Sequence, residues 1–209
     1  MKQVISMTLA ALFLFGQAAF AGVAYNPETK VLTIEGKTDA ALWRDVASGV
    51  ANNADIVSVH MSGPGGYLGY GLAIGDLLHD LGVPVIVPEK KQCISACAIA
   101  AMAAPRIVVD GQLWFHGPYF PNVPSDWSFQ KYGNALSSAN IDVALRFAKW
   151  GFPIALWQDI VERTTACVFI VVNDIHAGAL NDLRNEDMLA AYVPLVGVES
   201  DFCTGELGA

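Results

Sequence analysis

Ile56-Val57-Ser58-Val59-His60-Met61-Ser62-Gly63-Pro64-Gly65-Gly66 is the stretch that decides the fold. Residues 56–61 read as a strand buried on at least one face, and the five residues after them read as a Gly-rich turn. Residues 68–81 then read as a helix, with Leu72, Ile74, Leu77, Leu78 and Leu81 as its apolar positions and Gly82 as its stop. Upstream, 31–36 read as a strand after a turn at Asn26-Pro27. Residues 38–51 read as a helix capped by Thr38 or Asp39, with Leu42, Val46 and Val50 on one face. Downstream, 83–88 are a strand, and a short extended segment leads into 95–104. That run of Ala, Cys, Ile and Met is apolar all round and predicts a buried helix. Residues 106–109 and 112–116 are strands flanking Asp110-Gly111, a strong turn signal. The order β-α-β-α-β-α-β-β with parallel crossovers defines an α/β protein.

The remainder is less regular. Residues 118–138, rich in Pro, Asn, Ser and aromatics, read as a long loop or flap. Residues 139–150 look helical, Gly151-Phe152-Pro153 breaks the helix, and 154–163 form another. Residues 167–172 are strand-like, 185–191 a short helix and 193–198 a final extended piece. No internal repeat or linker divides the chain, so residues 22–209 are expected to form one domain.

The N-terminal 21 residues are set apart from the fold. Lys2 gives a short basic region, residues 4–15 are almost wholly apolar, and Ala19-Phe20-Ala21 supplies the small-x-small pattern of a cleavage site. This reads as a signal peptide, cut after Ala21, of a periplasmic or secreted protein. An uncleaved anchor is the alternative, but the apolar run is short for a span of about 20 residues. No later stretch reads as an integral membrane span. The formal net charge is −8 at pH 7, which argues against nucleic acid or an anionic membrane surface as partner.

All four cysteines (Cys93, Cys97, Cys167, Cys203) lie beyond residue 21. An even count in an exported chain points to two disulfides with three connectivities open. Cys93–Cys97 with Cys167–Cys203 is the first choice, and reduced thiols packed as small apolar residues are the alternative. A C-x3-C spacing with no His at a matching interval offers no zinc site.

Ser95 and His116 are the candidate reactive pair. Ser95 heads the buried helix, where it is a candidate nucleophile or simply an N-cap. His116 ends an apolar strand before Gly117-Pro118 and is the candidate base. Ala96 N–H, at the helix start, and the Gly65-Gly66 backbone are candidate donors to an oxyanion. His60, His79 and His176 have structural readings. Lys90 and Lys91 raise a Ser-Lys alternative, but beside Glu89 they read as solvated charges.

Ser-Gly-Pro-Gly-Gly (62–66) before a helix, Ser-Ala-Cys (95–97) and the strand–turn–strand–His segment 106–116 resemble Clp-type serine peptidases, closest to exported members with Cys around the serine. The resemblance runs from about residue 53 to 118, with Gly63 standing where the family often has Ser. It implies the ClpP/crotonase-like fold of repeated ββα units. It also implies Ser95 as nucleophile, His116 as base, Gly66 and Ala96 N–H as oxyanion donors, and an acid near a short C-terminal helix. Asp182 is the nearest acid upstream of 183–189, with Asp174 as rival, and a Ser-His dyad stays open. The implied activity is peptide or protein hydrolysis, for which the protein itself needs no metal or nucleotide; an ATPase partner is not expected, because ATP is scarce outside the cytoplasm and no docking element is recognisable. A homo-oligomer is left open. A ClpP-fold binding or assembly module is the second reading, and crotonase-type acyl-thioester chemistry a weaker third.

Overall fold

The computed structural model describes residues 22–120, 122–183 and 197–201. In chain order the elements are β1 (Gly22–Asn26), β2 (Val31–Thr38), α1 (Ala40–Asn52), β3 (Ser58–Gly66), α2 (Leu68–Leu81), β4 (Val85–Val87), β5 (Gln92–Ile94), α3 (Ala96–Ala101), β6 (Ile107–Val109), β7 (Gln112–Phe115), α4 (Phe129–Lys149), α5 (Ile154–Arg163), β8 (Val168–Val172), α6 (Asp174–Asp182) and β9 (Val198–Asp201).

β3 organises the sheet. It lies parallel to β2 along its whole length. On its other edge its first half pairs with β4 (Val59↔Val85, His60↔Ile86), and its second half meets β5 (Gly63↔Cys93). The next pair repeats the division: β6 lies parallel to β4 and β7 parallel to β5. Each crossover thus contributes a lower and an upper strand, the ββα unit expected from the sequence. β8 runs antiparallel to β7, β9 antiparallel to β8, and β1 antiparallel to β2 at the other edge.

Local chemistry accounts for the helix ends. Asp39 caps α1, its carboxylate accepting from Ala41 N–H at 2.9 Å and Leu42 N–H at 3.1 Å. α2 ends at Gly82, whose φ of 69° is the left-handed C-terminal signal. α3 is buried over its whole length, as its composition predicts. α2 reaches it because Gly71 has no side chain: a Cβ there would lie 2.7 Å from Ala96 O. Leu32, Ile34, Val59, Met61, Ile74, Leu78, Ile107, Leu113 and Phe115 form the core beside these helices.

Several boundaries differ from the sequence reading. Residues 62–66 continue β3 instead of forming a turn, because β2 supplies them with a partner strand as far as Gly66. Asp110-Gly111 is a corner between the lower and upper layers, not a hairpin: both its N–H groups donate to Val87 O at 3.0 Å. α4 begins ten residues earlier than its apolar pattern indicates. Ser128 Oγ accepts from Lys131 N–H at 3.1 Å and starts the helix, and its first turns are solvated, with Phe129 92% exposed. α6 has no counterpart in the sequence reading. Asn173 caps it by accepting from Ile175 N–H. The helix expected over 185–191 and residue 203 lie outside the described residues.

Candidate active site

Strand register alone brings three chain segments together. Gly63 is level with Cys93 on β5, and Cys93 with Leu113 on β7. Carried on in step, Gly66 at the end of β3, Ala96 at the start of α3 and His116 just past β7 fall at about the same level, at the ends of strands that neighbour one another about 4.8 Å apart. The carboxyl ends of parallel strands are where α/β sheets form their crevices.

Ser95 sits where β5 becomes α3. Its N–H donates to Trp114 O at 2.8 Å, the last rung of the β5–β7 ladder, and its carbonyl accepts from Ile99 N–H at 2.9 Å, the first turn of the helix. One residue therefore makes the whole strand-to-helix turn, and it does so at φ 57°, ψ −121°. That region is strained for any residue with a Cβ. Two constraints hold it. Cys93 and Cys97 are joined by a disulfide across the turn, with Cα atoms 5.2 Å apart. Gly65 presses from β3: a Cβ there would lie 2.4 Å from Ile94 O and 2.8 Å from Ser95 Cβ, and its φ of 79° also favours glycine. The half-buried Ser95 hydroxyl makes no capping hydrogen bond to α3, so the plain N-cap reading does not describe it.

The donors behind this hydroxyl follow from the same ladder. Tyr67 N–H donates to Thr38 O at 2.8 Å, toward β2. Gly65, the residue before Gly66, faces the Ser95 turn, a Cβ there lying 2.8 Å from Ser95 Cβ and 3.2 Å from Ala96 N, so the Gly66 backbone follows beside that turn. Ala96 N–H, the first of α3, has no carbonyl within the helix to bond.

His116 lies one residue beyond β7 and is 7% exposed. Its ring packs edge-on to Phe169 of β8, centroids 4.6 Å apart, and tilts against Tyr119, at 5.3 Å. Nδ1 lies 2.6 Å from the Gly117 carbonyl. A carbonyl oxygen has no proton to give, so Nδ1–H donates and Nε2 keeps its lone pair. Burial lowers the His116 pKa from its usual 6.5, and the Gly117 bond opposes part of that shift. No hydrogen bond joins Ser95 to His116 among the described residues.

The two candidate acids do not reach this imidazole. Asn181 fixes the end of α6 to the start of β6, its amide donating to Ile107 O at 2.7 Å and its Oδ1 accepting from Ile107 N–H at 2.9 Å. Ile107 is level with Val59, whereas His116 is level with Gly66. Seven residues of strand separate the two levels, roughly 20 Å. Asp182, exposed beside Asn181, thus stands at the opposite end of the sheet from His116. The resemblance misplaces this acid because α6, unforeseen in the sequence, carries the segment downward. Asp174 fares little better. Val172 pairs with Leu113, which sets Asp174 level with Gly111, about 15 Å short of His116.

The lysines have other work. Lys91 Nζ bonds Glu35 Oε1 at 2.6 Å, and Lys90 is exposed beside Glu89. Cys167 is in a disulfide, and its expected partner Cys203 lies outside the described residues. The described residues contain no cluster of His, Cys, Asp and Glu able to hold a metal ion, and no described helix is long and apolar enough to cross a membrane. Two residues that hold His116 in place carry no site signal in the sequence, Thr164 and Phe169, and Gly117 reads there only as the end of a strand. Phe169 reads only as part of an apolar run, and Thr164 is 47 positions from the backbone it contacts.

No family model matches the chain, and no curated protein does. Solved structures do. A point mutant of ClpP1 from Listeria monocytogenes superposes with a TM-score of 0.56 at 16% identity, covering 78% of this chain and 95% of that one. The chain therefore has the α/β ClpP-type fold and resembles ClpP-type peptidases in architecture.

Proposed function

We propose that the chain is an exported serine hydrolase acting on peptides or proteins without ATP. The observation that carries this reading is Ser95, strained at φ 57° with its hydroxyl unused by the helix it heads, level with Gly65 and one residue short of the level of Gly66 and His116. Backbone strain of this kind persists where the surroundings over-determine it, and it concentrates at functional sites.

In this reading Ser95 Oγ attacks the scissile carbonyl carbon while His116 Nε2 takes its proton. The carbonyl oxygen becomes an oxyanion facing Gly66 and Ala96 N–H. Collapse of the tetrahedral adduct breaks the carbon–nitrogen bond, and the imidazolium returns its proton to the leaving amine. Water then repeats both steps on the acyl-enzyme, with His116 again as base. A neutral, buried imidazole suits the first step. With the Gly117 carbonyl on Nδ1 and no carboxylate there among the described residues, the imidazolium is less stabilised, which argues for slow turnover.

The test is labelling of the folded chain from Gly22 with a fluorophosphonate probe, followed by peptide mapping. Covalent label on Ser95, absent in Ser95→Ala, is the expected result. A folded protein that stays unlabelled over hours rejects the mechanism. One observation favours a second reading, a ClpP-fold binding module: Ser95 and His116 share no hydrogen bond. The flap aromatics Phe120, Trp127 and Tyr132, whose rings contact one another, would then be the surface that holds a peptide.

A further inference from the structure

In a Ser-His-Asp site the acid has two tasks: it fixes the histidine tautomer and orientation, and it stabilises the imidazolium. Here the first task falls to the Gly117 carbonyl, 2.6 Å from Nδ1. Left to itself, a carbonyl on the adjacent residue would be a poor clamp, because the Gly117 dihedrals that aim it are free to rotate.

The clamp comes from α5. Gly117 N–H donates to Thr164 Oγ1 at 2.9 Å, and the same hydroxyl donates to Ile160 O at 2.6 Å. Thr164 is 8% exposed, and Val161 of α5 packs on Gly117, its Cγ2 lying 3.6 Å from where a Cβ would stand. Donor and acceptor roles of the hydroxyl are both filled within the protein. Its rotor is therefore set, and the peptide before Gly117 is tied to the last turn of α5. On the other side Pro118 has no N–H and a ring-fixed φ, so the carbonyl-bearing peptide is restrained as well.

We propose that Thr164 is a positioning residue of the site. By anchoring the Gly117 backbone it aims the carbonyl that holds His116 as the Nδ1–H tautomer, with Nε2 free as base. The inference rests on the hydrolase reading for its catalytic consequence and on the geometry alone for its structural one.

Both are measurable on chain labelled with 15N-histidine. Long-range 1H–15N spectra at pH 8 should show His116 protonated at Nδ1. Thr164→Val keeps the shape and removes both hydrogen bonds. It should give a mixture of tautomers and slow fluorophosphonate labelling of Ser95 tenfold or more, and Thr164→Ser should restore both. A wild-type spectrum showing the Nε2–H tautomer overturns the proposal without any variant. So does a Thr164→Val protein of unchanged tautomer and labelling rate. If the tautomer responds as expected while wild type takes no label, the positioning role stands and the hydrolase reading falls. If wild type is labelled but neither quantity responds to Thr164→Val, the reverse holds.

Discussion

The two sides of the candidate site are built on opposite principles. The Ser95 side is held within the turn itself by a disulfide spanning five residues, reinforced by the backbone of the two strands flanking it, Gly65 of β3 and the Trp114 carbonyl of β7. The His116 side is held by contacts distant in sequence: Phe169 from β8 and Thr164 from the end of α5. The difference teaches where the chain can fail. Damage to the nucleophile turn costs fold and chemistry together, whereas damage to the base side costs alignment first.

The most damaging substitution on the base side is His116→Ala. General-base assistance is worth about 10² to 10⁴ in rate, so labelling of Ser95 in the folded protein should slow by that factor, alongside the loss of stability that removing a buried ring brings. An undiminished rate would mean that the two residues do not work as a pair. On the nucleophile side Gly65→Ala is the severe change. The new methyl would lie 2.4 Å from Ile94 O, at a φ of 79°, and strain plus overpacking should lower stability by about 2–4 kcal/mol. Denaturant unfolding would report it, and a protein as stable as wild type would show that the turn is less confined than its contacts imply.

Replacing Cys93 and Cys97 together by Ser opens a ring of only five residues. Loop-closure entropy for so small a ring gives a loss of about 2 kcal/mol. The sharper readout is again the comparison: the double variant should lose Ser95 labelling while His116 keeps its Nδ1–H tautomer, because the Gly117 and Thr164 groups that hold Nδ1 lie outside that ring. If both sides respond equally, the site is one cooperative unit and the division drawn above is wrong.

The same division explains what the sequence discloses. α2 is legible to the residue, since its apolar period and its Gly82 stop are local. So are Ser95, the buried helix after it, and His116 at the end of a strand. The split of each crossover between β4 and β5, and between β6 and β7, is not legible, because it depends on which half of β3 a strand meets. Thr164 is silent for the same reason, as its partner lies on a different element. The acid fails in a third way. A short C-terminal helix with an upstream Asp is a pattern in one dimension, and the Asn181–Ile107 pair sends that Asp to the wrong end of the sheet.

Burial sets the pH behaviour of the base side. His116 is depressed below 6.5 by desolvation, with the Gly117 bond partly opposing, so Nε2 stays unprotonated to lower pH than in an exposed histidine. The acid limb of the labelling profile should have its midpoint below pH 6.5. The linked stability has the same sign: the unfolded chain takes up the proton first, so this contribution is complete above pH 6.5 and declines as pH falls through the depressed value. Unfolding midpoints measured between pH 8 and 5 should drop for wild type and stay flatter for His116→Asn. An acid limb above pH 6.5 would require a carboxylate near the ring.

The smallest expected effect is the most discriminating. Asp182→Asn removes the acid that family pattern favours and geometry does not. With Asp182 level with the start of β6 and His116 beyond the end of β7, the charge lies farther from the imidazole than the Debye length of about 8 Å at physiological salt. Labelling of Ser95 should therefore stay within about twofold of wild type, and the His116 tautomer should not move. A loss of two or more orders of magnitude, about what removing a working triad acid costs, would mean that α6 leaves Ile107 during catalysis. The Gly117 carbonyl would then be a resting partner that the acid displaces, and the base side of the site would be assembled by motion instead of by packing.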